Sequence, residues 1–215
     1  GFGRVEQLDV ETFGNFAEGN AASPYITDDK TLYQPPVKTI TWFHTGAFLD
    51  RRRILSQFRD EYFPVRFEAF KPGETNVLGA FRENDLPEPD LNPQDLTDEE
   101  WREALRACKG MMLRQEVYEL DVDALERGKH MPVKLFSASN HNCRIHRVQP
   151  EAINPHAVFV VTESEAVTYH YELDLREQTL RPDPRIAHTL NLNIDEFGNV
   201  LQAVAVVYPR IGRHE

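Results

Sequence analysis

The sequence predicts an α+β chain, rich in β, built as an antiparallel meander of long hairpins with about two short helices. Three stretches carry that expectation. In Arg185–Tyr208, RIAHTLNLNIDEFGNVLQAVAVVY, a period of two puts Ile186, His188, Leu190, Leu192 and Ile194 on one face. Ala187, Thr189, Asn191 and Asn193 fall opposite, as in a half-buried strand. Val167, Tyr169, Tyr171 and Leu173 alternate in the same way with Ala166, Thr168, His170 and Glu172. Thr97-Asp98-Glu99-Glu100 is a capping box that opens a helix, and a strand follows it directly.

The elements follow in order. Residues 1–13, GFGRVEQLDVETF, read as a short strand led in by two glycines. Residues 14–36, rich in Gly, Asn, Ser, Asp and Pro, form a poor core and predict an exposed excursion. Val37–Thr45 is β-rich, with Val37, Thr39, Thr41 and Phe43 facing one way and Lys38, Ile40, Trp42 and His44 the other. Asp50 is placed to cap a helix through Tyr62, whose stripe is Ile54, Leu55, Phe58 and Tyr62; Pro64 stops it. Residues 64–96 are punctuated by Pro64, Pro72, Gly73, Gly79, Pro87, Pro89 and Pro93 and predict a second irregular excursion. A loop of that length suits a segment lying along a larger surface.

The Thr97 helix carries Trp101, Leu105 and Cys108 as its buried stripe and ends at Gly110. Met111–Asp121 is a strand and Asp123–Pro132 a polar loop. Val133–Gln149 reads as one or two strand segments broken around Ser137–Asn142. Ala157–Thr162 and Glu165–Leu173 form a hairpin around Glu163-Ser164. In the last hairpin Asp195 can accept from the turn's own amides, and Gly198 can take the left-handed conformation of a tight return. Val200–Tyr208 is apolar at nearly every position, which predicts a strand covered on both faces.

Composition narrows the function classes. The chain has 215 residues, 27% charged and 40% hydrophobic, which is the balance of a soluble globular protein with a sizeable core. No apolar run is long enough to span a membrane, so no direct membrane insertion is expected. Gly1 in place of an initiator Met predicts a processed or excised piece. The net charge of −11 disfavours a nucleic-acid partner, because phosphates would be repelled. Arg51-Arg52-Arg53, the one basic cluster, reads as a solvated helix face. Cys108 and Cys143 are too few for a disulfide framework; they could form one bridge, but buried unpaired thiols fit better.

The sharpest candidate for chemistry is Asn140–His146, NHNCRIH. His141, Cys143 and His146 offer zinc donors, with His130 or His156 as a distant fourth. On an extended strand, however, His141 and Cys143 share a face while His146 points away, so an ordinary strand is the better reading. Cys143 as a nucleophile would need a base and a cationic neighbour, and adjacent Arg144 points to the other face. His188 sits on an apolar face, where a lone histidine is usually hydrogen-bonded core, and His170 points away from Tyr169 and Tyr171. There is no Gly-x-Ser-x-Gly setting and no phosphate loop. No catalytic, cofactor-binding or metal-ligating residue is assigned, and the chain is not expected to be an enzyme.

The D-x-x-G-N turn at 195–199 resembles the Rhs/YD-repeat unit. Ordered stretches extend the likeness: GFGRVEQLDVETF, KTITWFHTGAFLD, ALRACKGMMLRQEVYELD, HRVQPEAINPHAVFVV, EAVTYHYE and DPRIAHTLNLNIDEFGNVLQAVAVVYPR. Together they resemble the middle-to-C-terminal region of the B component of Tc insecticidal toxin complexes, over nearly the whole chain, and depart from it in the excursions. The resemblance implies a secreted virulence protein. In that family the B and C components build a hollow β-shell that encloses the toxic C-terminal part of the C component, and a channel-forming A component receives it. The implied partners are the C component directly and the A component through parts of the B component outside this chain. The propeller and the cargo-releasing protease are not recognisable, so the whole of 1–215 is expected as a single β-rich shell segment. Trp42, Arg114, Tyr169, Tyr171, Asp195, Gly198 and Asn199 match as framework positions. The alternative is a free-standing β-rich module that binds carbohydrate or a host surface.

Overall fold

Antiparallel pairing in chain order organises the molecule. The computed structural model describes residues 2–10, 35–63, 83, 86, 88–91, 96–176 and 182–210. Seven strands lie side by side as a meander: β1 (Arg4–Asp9), β2 (Val37–Phe43), β3 (Met112–Leu120), β4 (Pro132–Gln149), β5 (Val158–Asp174), β6 (Arg185–Ile194) and β7 (Val200–Tyr208). Among the described residues three helices, α1 (Arg51–Glu61), α2 (Asp98–Ala107) and α3 (Val122–Glu126), are threaded between them. The fold is β-rich α+β, as the sequence predicts. The excursions expected at 14–36 and 64–96 fall largely outside the described residues.

The register gives the sheet two unlike faces, because directly opposed residues point the same way. Trp42 stands opposite Arg114, Arg114 opposite Asn140, Asn140 opposite Val167, Val167 opposite His188 and His188 opposite Val206. This face holds the main core: Ile40, Trp42, Tyr118, Leu135, Ala138, Val167, Tyr169 and Tyr171, capped by Phe58 with Ile54 and Tyr62 from α1. Trp42 meets the Tyr62 ring edge-on at 4.9 Å between centroids. Each of these large side chains contributes about 1.5–3 kcal/mol by leaving water. The other face runs Thr41, Gln115, Ser139, Thr168, Ala187 and Val207. Over β2–β5 it is small and polar, turning apolar at Ala187 and Val207, and none of these residues belongs to an apolar cluster.

A second cluster lies under α2, whose capping box forms as predicted. Thr97 Oγ1 accepts from the Glu100 amide at 3.2 Å, and Glu100 Oε2 accepts from the Thr97 amide at 3.1 Å. Ala104 and Cys108 pack on Cys143 and Ile145 of β4, with Leu96, Met111, Phe159 and Val161 around them. Trp101, expected in the buried stripe, is only half-buried and meets Phe48 edge-on at 5.3 Å.

Several expectations are corrected. The stretch read as a polar loop opens with α3, because the Asp121 side chain accepts from the Ala124 amide at 2.6 Å and Ala124 is buried. Among the described residues there are three helices, where about two short ones were expected. Asp50 does not cap α1: its own backbone is left-handed, φ 59°, unlike the extended geometry that aims a capping side chain at the first turn. β4 and β5 are unbroken over 18 and 17 residues. Glu163-Ser164 lacks the Gly or Asn of a tight return, and the sheet absorbs it as a bulge: Asn142 pairs Glu165, Cys143 pairs Glu163, and Ser164 is left over. A second bulge puts Glu172 at φ 51°. Finally, β7 is not covered on both faces. It is an edge strand, exposed along nearly its whole length.

Candidate functional site

Arg114 on β3 anchors the most densely bonded site. Its flank on the core face puts it beside Glu116, two residues on, and opposite Asn140. The guanidinium donates to Glu116 Oε1 at 2.8 Å, to Asn140 Oδ1 at 3.0 Å and to both carboxylate oxygens of Glu83. It also lies over the Tyr62 ring, 4.8 Å from the centroid. Tyr118 donates to Glu116 and Tyr171 to Glu83, each at 2.6 Å, and the Phe63 amide donates to Glu116 at 2.8 Å. Burial works against the charge on Arg114, yet Glu83 and then Glu116 hold its pKa above the ordinary value. Burial, reinforced by these carboxylates, also raises both tyrosine hydroxyls. Such a network cross-links β3, β4, β5 and the segment bearing Glu83. Of these residues the sequence reading named Arg114 and Tyr171 by resemblance; Glu83 and Glu116 gave no local signal.

A pair of thiols forms the second cluster. Cys108, at the end of α2, and Cys143, on β4, are both free and buried, with their sulfurs 3.8 Å apart. The bond from Cys108, aided by His44, draws the Cys143 thiol well below its usual range despite burial. The same bond, with burial, holds Cys108 above its own. His44 escaped notice in the sequence because it is distant from both cysteines and sits in a strand-like run.

The candidate zinc residues are not brought together. His141 bonds Ser139 at 3.1 Å and Glu163 at 3.0 Å, Cys143 faces Cys108, and His146 is exposed. Among the described residues no group of three or more His, Cys, Asp and Glu side chains could hold a metal ion. His188 is held between Tyr208, at 3.0 Å, and Glu165, at 2.8 Å, and His170 is exposed. Arg51 is half-buried and paired with Glu88, while Arg52 and Arg53 are exposed.

The β6–β7 hairpin presents the third feature. Asp195 Oδ1 accepts from the amides of Phe197 at 2.9 Å and Asn199 at 2.8 Å, and Gly198 takes φ 88°, as the turn residues predict. The hairpin leaves Leu201 64% and Val207 79% exposed, with Val200, Val204 and Tyr208 bare beside them. Among the described residues β7 pairs only with β6, so its outer edge presents unpaired amides and carbonyls.

These features define a β-wall: a long antiparallel sheet, padded by helices on one face, polar on the other and bare at its last hairpin. The comparisons give the wall its family. The family model described as the insecticide toxin TcdB middle/C-terminal region matches residues 103–215, just over half of the chain. The chain belongs to that family and is a region of a Tc toxin B component. Among solved structures it resembles the Photorhabdus luminescens Tc holotoxin pore, at 26% identity and TM-score 0.60. It also resembles a TcdB2–TccC3 complex, at 25% and 0.59, and a TcdB2–TccC3–Cdc42 complex, at 27% and 0.58. Each match covers 100% of this chain but only 8–9% of the larger one. No curated protein matches.

Proposed function

We propose that the chain is a non-enzymatic wall segment of a secreted Tc toxin shell, enclosing a toxic cargo and helping to deliver it. The observation that carries this reading is the contrast between the cross-linked sheet and its bare last hairpin. An edge strand that is apolar on both sides is costly in water and becomes favourable when neighbouring strands and layers cover it. The polar face of Thr, Ser, Gln and Ala side chains offers few apolar anchors, and the net charge of −11 adds none for an acidic cargo. The matched structures contain TccC3, which supports a C-component partner, and a holotoxin pore, which supports a channel-forming A component.

The test uses the assembled B and C components. Val204→Lys with Val206→Lys, on the β7 side that continues the core face, is expected to leave the enclosed cargo open to protease. Unchanged protection after this double substitution would remove β7 from the enclosing wall. The same complex tests the alternative: specific retention by glycans, with cargo protection unaffected, would favour a surface-binding module.

A further inference from the structure

We propose that Cys108 and Cys143 are a redox pair that closes to an intramolecular disulfide, fastening the C-terminal end of α2 to the middle of β4. The sulfurs already touch at 3.8 Å, and they are the only two cysteines of the chain, so no other thiol in the chain competes. A disulfide forms at about 2.05 Å, an approach of roughly 1.8 Å that side-chain torsion and a small shift of the helix end can supply. Cys108 is the C-cap residue of α2, followed by the Lys109-Gly110 turn, where a small displacement disturbs little of the helix. Around the pair, Ala104, Ile145, Met111, Phe159 and Val161 exclude bulky reagents. A cleft of about 20 Å³, lined by His44, Arg51, Pro89, Leu105 and Cys108, leaves space on the scale of a single water.

The cleft reaches Cys108, and its size restricts the oxidant to one as small as hydrogen peroxide. The Cys108 thiol, 3.8 Å away, and then His44 favour the thiolate of Cys143, the nucleophilic form. Thiolate attack on hydrogen peroxide breaks the O–O bond, forms a sulfenic acid on Cys143 and releases hydroxide. Cys108 gives its proton to that hydroxide, and its sulfur then attacks the sulfenic sulfur. The S–S bond forms as the S–O bond breaks, and the sulfenic oxygen leaves as hydroxide, which takes up the proton that Cys143 gave to solvent on forming its thiolate. Two thiols are oxidised and one peroxide is reduced to two waters. The outcome is a staple across 35 residues that holds α2 on the sheet under oxidising conditions and opens under reducing ones.

The experiment treats the full chain with low-excess hydrogen peroxide or with dithiothreitol, then unfolds it in the presence of N-ethylmaleimide to trap free thiols for peptide mass mapping. The oxidised sample is expected to lose both labels, to yield one cross-linked peptide joining Cys108 to Cys143, and to melt roughly 10 °C higher. Dithiothreitol should reverse all three. Cys108→Ser should leave Cys143 as a sulfenic acid, detectable with dimedone, and His44→Asn should slow closure severalfold. Two thiols that stay alkylatable after peroxide would overturn the proposal. So would a cross-link that joins separate chains, or one that forms only in urea.

Discussion

The inner strands β2–β5 and the outer hairpin β6–β7 have equally strong hydrophobic patterns and opposite fates. Trp42 and Leu135 are fully buried, whereas Leu201 and Val207 are 64% and 79% exposed. Local β-propensity cannot be the cause, since Val200–Tyr208 is the most apolar strand of all. The difference is company. The inner strands have two sheet neighbours, α1 on one face and a buried ion network to fix their register. β7 has one neighbour and no layer packed on it among the described residues. A hydrophobic pattern therefore reports what a strand needs covered. It does not say that nearby sequence supplies the cover.

The largest expected effect breaks the inner region at its charge centre. Arg114→Met removes the one cation between Glu83 and Glu116, leaving two buried carboxylates without it. A loss of about 3–5 kcal/mol is expected from the urea midpoint at constant slope. A loss under about 1 kcal/mol would show that the network fixes register without contributing to stability. Leu135→Ala should follow at about 2–5 kcal/mol, since Leu135 is wholly enclosed and its cavity cannot collapse onto solvent.

Between the two regions in size stands Glu100 at the start of α2. Its carboxylate accepts from the Glu151 amide at 2.9 Å and the Thr97 amide at 3.1 Å, and pairs with Arg147 at 2.8 Å. The Glu151 amide first, then Thr97 and Arg147, lower its pKa in the folded chain below the ordinary value of 4.5. A depressed folded value means that its contribution is whole above 4.5 and is lost as pH falls through the folded value. Glu100→Gln should thus destabilise at neutral pH and shrink the fall in urea midpoint between neutral pH and about pH 3. An identical pH slope in the variant would show that other carboxylates carry it.

How much was legible follows the same divide. Strand order, the capping box and the 195–199 turn were readable because each is written in contiguous residues. The unbroken β4 and β5 were not, because Ser137–Asn142 looks like a break until it pairs residue for residue with β5, and Glu163-Ser164 looks like one until the sheet absorbs it as a bulge. The site was less legible than the fold. Glu83 reaches Arg114 across 31 residues, and Cys143 was read beside His141 and His146 when its sulfur faces Cys108. The sequence set the donors in a row; the sheet sent them to different neighbours.

The smallest expected effect sharpens the comparison most. Leu201→Ser, on the bare hairpin, should change the stability of the chain by no more than about 0.5 kcal/mol, because the side chain is already in water when the chain is folded. The same substitution should lower binding of a hydrophobic dye by the chain and, in the proposed shell, weaken any joint that this hairpin makes with a neighbour. A stability loss comparable to Leu135→Ala would mean that Leu201 is covered within the chain, and the division into inner wall and open edge would fail. A small loss with reduced dye binding would instead assign β7's apolar surface to contacts between segments, where a strand that contributes almost nothing alone becomes part of the core.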